Sequence, residues 1–137
     1  MKFVKLHPAA ELPKRQTVGA AGYDLHAVDD VPSVGEKTMV GTGVSVRIPP
    51  GHVGLIQDRS GLASKFGVHR MAGVIDSDYT GEIKVILSCV HHDKIFPVNR
   101  GDRIAQLVVV PCVMEDSEWT DALPDTDRGS NGFGSTG

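Results

Sequence analysis

At 137 residues the chain has the length of one domain and too little material for two cores. Its 16 glycines and 8 prolines, about 18% of the chain against a usual ~12%, argue against a helix bundle, whereas 40% hydrophobic and 23% charged residues allow a packed core and exclude wholesale disorder. A net charge of −3 provides no global attraction for nucleic acid, so stable nucleic-acid binding is not expected, although a few local cations could hold a small anion.

From Lys2 to Pro111 short apolar stretches alternate with turn residues. The strand candidates are residues 3–6, 22–28, 44–48, 52–57, 67–75, 83–89, 94–98 and 103–110. Val44, Val46 and Ile48 alternate with Ser45 and Arg47 until Pro49-Pro50-Gly51 stops the run, and Ile83, Val85, Leu87 and Cys89 alternate in the same way. Residues 60–66 depart from this pattern, with helix formers behind Ser60 as a candidate cap, and predict one short helix. So many short strands point to a sandwich, jelly roll or small barrel. Trp119 is the only tryptophan, so the core must be aliphatic. Cys89 and Cys112 sit in apolar runs and read as buried thiols. The first residues carry no apolar leader, and no window is long enough to span a bilayer. The expectation is therefore a protein of the cytoplasm or another reducing intracellular compartment, with no membrane association.

The composition changes after the last strand candidate. Residues 1–114 are expected to form the β domain, and residues 115–137 an acidic linker and a mobile glycine-rich C-terminal arm. Residues 115–127 hold six acidic side chains and no basic one, and Trp119 among them reads as an anchor for the arm on the domain. The final ten residues match the spacing of a dinucleotide fingerprint and, but for Ser135 in place of lysine, of a phosphate loop. Both need a following helix, and the sequence ends instead. What survives is a set of unhindered N–H groups, two hydroxyls and the Arg128 guanidinium, which together could clamp a phosphate.

Two further constellations carry chemistry. Arg59-Ser60-Gly61 places a cation, a hydroxyl and helix-start N–H groups together, as an anion site requires. Asp76 and Asp78 stand beside Tyr79 in a turn, and Asp76 follows an apolar run, where partial burial would suit a general base. His91-His92-Asp93 lies between two strand candidates and reads as a solvated loop.

Taken in order, Ala21-Gly-Tyr-Asp24-Leu, Arg59-Ser-Gly-Leu-Ala63, Gly73-Val-Ile-Asp76-Ser-Asp-Tyr79-Thr-Gly81, Gly101-Asp-Arg-Ile-Ala-Gln106-Leu and Arg128-Gly-x-x-Gly-Phe133-Gly-Ser-Thr136-Gly resemble the five motifs of the trimeric dUTPases. The resemblance implies an all-β, jelly-roll-like β-barrel with one short helix, a homotrimer with shared active sites, and Mg²⁺-assisted hydrolysis of dUTP to dUMP and pyrophosphate. Such an activity keeps uracil out of DNA and supplies dUMP for thymidylate synthesis. By the same resemblance Asp76 is the base that activates the attacking water, and Asp24 is a carboxylate in the outer shell of the metal. Arg59, Ser60, Gly61 and Gln106 contact phosphate. Tyr79 packs on the deoxyribose, and the main chain near Gly73 and Lys84 reads uracil. The arm contributes Arg128, Gly134, Ser135 and Thr136 around the phosphates and Phe133 as a stacking ring.

The second motif of the family commonly opens with proline, where this chain has Asp58, whose carboxylate must point away from the phosphates or pair with an arginine. A dCTP deaminase of the same fold and a non-catalytic binding protein are the competing readings.

Overall fold

A computed structural model of the chain describes residues 1–91 and 96–131. In chain order the elements are β1 (Lys2–Lys5), β2 (Tyr23–His26), β3 (Thr38–Gly41), β4 (Val44–Arg47), β5 (His52–Gln57), α1 (Ser60–Phe66), β6 (Val68–Met71), β7 (Val74–Ile75), β8 (Lys84–Cys89) and β9 (Arg103–Pro111). The strands form three sheets, ordered β1-β4, β2-β9-β5-β7 and β3-β8-β6, in which every pairing is antiparallel. Among the described residues the ladders do not close into a ring. The sheets meet through side chains of one core and through single main-chain bonds, such as Ile83 N–H to Val44 O at 2.8 Å.

That core is aliphatic, as expected. Leu25, Val40, Val46, Ile56, Val68, Val85, Leu87, Ile104 and Leu107 are buried in it from seven different strands. Along β8 the pattern is one residue in and one out, the period-two signature read from the sequence. Thr42 is a buried polar side chain whose hydroxyl donates to the Ile83 carbonyl at 2.6 Å.

Helix α1 runs over the expected residues, but Ser60 is not its cap. Arg59 occupies that position in an extended conformation without a side-chain cap bond, and Ser60 is already inside the helix. Gly67, with φ at 63°, ends the helix in the left-handed conformation that a Cβ disfavours. No α1 residue is fully buried, and the helix is held by Leu62 against the core and by Phe66 packed 4.8 Å from the Phe96 ring.

Four expectations are corrected. Residues 67–75 are two strands, because positive φ at Ala72 (60°) and Gly73 (137°) carries the chain from the sheet of β6 into that of β7. Strand β3 has no counterpart among the sequence-predicted strands. Cys89 is buried, but Cys112 lies beyond β9 and is only half-buried. Trp119 is fully exposed and anchors nothing among the described residues, and every described residue from 113 to 131 is exposed. Of the strand expected at residues 94–98, the first two lie outside the described residues and the other three form no strand, Val98 making only an isolated bridge to Val31. Among the described residues no helix is long and apolar enough to cross a membrane.

Candidate active site

Residues opposite one another in antiparallel strands point to the same face, so the register of the central sheet defines rows of side chains. Asp24, Gln106 and Gln57 share one row across β2, β9 and β5. The next row on that face is Val108, Leu55 and Val74, and the next is Val110 and Val53. The face is therefore polar at one end and apolar at the other. Its inner counterpart, with Ala105, Ile56 and Leu107, belongs to the core.

At the polar end a cavity of about 230 Å³ is lined by Asp24, Arg59, Ser60, Gly61, Arg103 and Gln106 among others. Asp24 organises it. Its Oδ1 lies 3.5 Å from Arg59 Nε, and its Oδ2 lies 3.2 Å from an Arg103 guanidinium nitrogen and accepts from Gln16 Nε2 at 2.9 Å. Arg59 also donates to the Arg103 carbonyl at 3.1 Å. Two guanidinium groups against one carboxylate leave the cavity net positive, and the arginines remain partly exposed, at 26% and 43%, so they can still receive an anion. Gly22 lies against Gln106 so closely that a Cβ there would collide with the glutamine side chain.

Asp58 resolves in a way that the sequence left open. It turns from the cavity, and its Oδ1 accepts the main-chain N–H of Arg70 at 2.7 Å, not an arginine side chain. Its carbonyl receives Gln106 Nε2 at 2.9 Å, which fixes the glutamine beside Arg59.

The second constellation forms around β7 and the turn that follows. Asp76, Tyr79, Glu82 and Lys84 line a cavity of about 290 Å³ with Val74 and Ile86. A smaller adjoining space of about 160 Å³ is bordered by Gly73 and Lys84. The Tyr79 hydroxyl donates to the Glu82 carbonyl at 2.9 Å, and Glu82 Oε1 receives the Gly43 N–H at 2.9 Å, so the turn is tied at both ends. Asp76 is exposed in the single chain and not partly buried as expected. Gly73 passes Ile56 so closely that a Cβ would sit 2.9 Å from Ile56 Cβ and 3.1 Å from its carbonyl oxygen.

The structure thus gathers the sequence-predicted residues into two groups. Asp24, Arg59, Ser60, Gly61 and Gln106 meet in one cavity, and Gly73, Asp76, Tyr79 and Lys84 meet around the other. The two cavities share no lining residue. Arg128 belongs to neither and donates to the Asn131 carbonyl at 3.0 Å. Phe133, Gly134, Ser135 and Thr136 lie outside the described residues.

The dUTPase family model matches residues 9–137, all five motif segments included. The chain belongs to the dUTPase family. The deoxyuridine 5'-triphosphate nucleotidohydrolase of Corynebacterium glutamicum is 46% identical over 140 aligned positions, covering 100% of this chain and 94% of the relative. That of Paramecium bursaria Chlorella virus 1 is 49% identical, covering 97% and 94%. The dUTPase of Staphylococcus bacteriophage 80alpha, solved with dUPNHPP, superposes with a TM-score of 0.85 at 28% identity over 99% of this chain and 97% of that one. A dUTPase from phage phi11 of S. aureus, TM-score 0.78 and 28% identical over 88% and 96% of the two chains, coordinates a structural Mg(II) ion.

Within this dUTPase-family chain, sequence reasoning missed Gln16 and Glu82, and for Arg103 it allows either a structural or a phosphate-contacting role. Gln16 reaches Asp24 from an irregular segment, where no periodicity marks which side chain faces inward. Arg103 alternates with strand residues like any surface arginine; the β2–β9 register places it opposite His26, two residues along from Asp24, and its guanidinium reaches back to the carboxylate.

Proposed function

We propose that the chain hydrolyses dUTP to dUMP and pyrophosphate at sites built between copies of itself, the reaction of the relatives that bear the nucleotidohydrolase name. One observation carries the reading. A cationic cavity suited to a triphosphate and a turn-lined cavity suited to a nucleoside sit apart on one chain, linked by an apolar row in which Val74 is exposed and Val108 and Leu55 are half-buried. Val74 alone is 65% exposed, and Leu55 lies beside it in the row. Burying that row against another copy removes apolar surface from water and brings the cationic cavity of one copy toward the turn of the next. A homotrimer sharing its sites in this way is the assembly that the motifs imply.

In that arrangement Arg59, Ser60 and Gln106 grip phosphate oxygens, and the arm adds Arg128, Ser135 and Thr136. Arg59 arrives preorganised by Asp24 and by the Arg103 carbonyl, so less freedom is lost when an anion binds. Asp76 accepts a proton from the water that attacks the α-phosphorus, the pyrophosphate leaves in line, and charge neutralisation does most of the catalytic work. Tyr79, held by the Glu82 carbonyl, packs on the deoxyribose, while Gly73 and Lys84 present main-chain groups to the base. Phe133 closes over it as a stacking ring.

Mg²⁺ is the proposed cofactor. Among the described residues no group of three or more His, Cys, Asp or Glu side chains could enclose a metal, and the polar cavity offers the single carboxylate of Asp24. That donor set fits an ion held by triphosphate oxygens and waters, which Asp24 would meet only through a bound water. The ion supplies neutralisation of the charge that builds on the phosphates.

The deciding measurement is pyrophosphate and ammonia release from dUTP, dTTP, dCTP and UTP with Mg²⁺. Turnover of dUTP with little of the others is expected. Ammonia from dCTP would instead mark a deaminase, and no turnover with any nucleotide would mark a binding protein.

A further inference from the structure

Asp58, which departs from its motif, occupies the junction between the two halves of the proposed site. It follows the last residue of β5 and precedes Arg59. Strand β6 pairs with β8 along one edge, where Arg70 lies opposite Leu87, and presents its other edge to the β5–α1 junction. There the Arg70 N–H would be an unpaired edge donor, and Asp58 Oδ1 receives it at 2.7 Å. Two residues later the chain enters the positive-φ step at Ala72 and Gly73. The Arg70 guanidinium donates back to the Ala72 carbonyl at 2.9 Å and reaches Gln57 Oε1 at 3.4 Å. Beyond the step, Ile56 N–H donates to the Gly73 carbonyl at 2.8 Å. The step is thus pinned on its entry side by Asp58 and on its exit side by Ile56.

We propose that Asp58 is a positioning residue for nucleobase discrimination: its carboxylate holds the β6 edge at Arg70 and thereby sets the Ala72–Gly73 main chain that borders the small cavity. This rests on the dUTP reading given above. The same residue meets the phosphate side, since its carbonyl orients Gln106. Asp58 therefore joins both recognition elements through one residue, using the side chain for one and the main chain for the other. A carboxylate accepting a main-chain N–H gives a strong bond, and its charge is spent there instead of facing the triphosphate.

The test compares Asp58→Ala and Asp58→Asn with the parent, measuring kcat/KM for dUTP and dCTP with Mg²⁺ and amide hydrogen exchange at Arg70. Asp58→Ala removes the acceptor and is expected to reduce the preference for dUTP over dCTP roughly tenfold, with faster exchange at Arg70. Asp58→Asn keeps an acceptor oxygen in the same place and is expected to restore both. A preference in Asp58→Ala within about twofold of the parent would overturn the proposal. So would tighter dUTP binding by both variants, which would mean that the charge faces the phosphates. If the parent did not turn over dUTP, the activity reading would fall instead, and exchange at Arg70, which needs no substrate, would still decide the contact.

Discussion

Gly73→Ala tests the geometry of the turn most directly. Gly73 has φ at 137°, where a side chain is strained, and an added Cβ would meet Ile56 Cβ at 2.9 Å and its carbonyl oxygen at 3.1 Å. Ile56 cannot yield easily, because it is buried at 2% exposure near the end of β5, between its neighbours in the sheet, and its N–H is committed to the Gly73 carbonyl. Holding a non-glycine residue in such a region costs about 1–3 kcal/mol, and overpacking a core contact adds a similar amount. A shift of the turn relieves both at once, so the two do not sum fully, and roughly 2–4 kcal/mol is expected. For a domain of this size that lowers Tm by about 10 °C, read by thermal unfolding at one fixed protein concentration. The same variant should lose dUTP selectivity, since the displaced main chain borders the small cavity. A Tm within about 2 °C of the parent, with selectivity intact, would refute the close approach of Gly73 to β5.

Asp76→Asn is expected to lower kcat by at least about 10²-fold while the Kd for dUTP stays within a few-fold, measured by pyrophosphate release and calorimetry. Leu55→Asp puts a charge in the middle of the apolar row and should give monomers in sedimentation together with loss of turnover; a charged variant that still assembles would remove that face as the interface. Thr42→Val deletes the 2.6 Å bond to the Ile83 carbonyl at a buried site and should cost about 1–2 kcal/mol, seen as a lower urea midpoint at unchanged slope. Deleting residues 128–137 should leave assembly intact and cripple hydrolysis, and loss of assembly in sedimentation would make the arm structural.

Much of the fold was legible where local signals agreed. Strand β5 begins just after the Pro49-Pro50-Gly51 stop, and α1 ends at a glycine, so both were read over their full length. Strand β3 was not, because only Val40 of its four residues is buried and Met39 is 60% exposed, leaving no alternation to see. The break between β6 and β7 depends on an alanine with positive φ, which residue type does not announce; long-range pinning at Arg70 and Gly73 enforces it. For the site, the motif residues could be named from the sequence, but their grouping was not visible in residue order. Gln106 lies 48 positions from Asp58 in sequence and bonds to its carbonyl, and such a pairing follows from strand register alone. Exposure of Asp76 was misread because an apolar run precedes it, whereas the chain turns outward immediately after Ile75.

The sheet face that grades from Asp24 and Gln106 through Val108 and Leu55 to Val53 and Val110 links chemistry to encounter. On the proposed assembly a lone, newly made chain can grip the phosphates of a nucleotide yet has no nucleoside slot beside that grip, so it binds without cleaving. Turnover then begins only when copies meet, and it climbs more steeply than in proportion to the amount of chain. Dilution alone would serve as an off state, and the level of expression would act as a threshold.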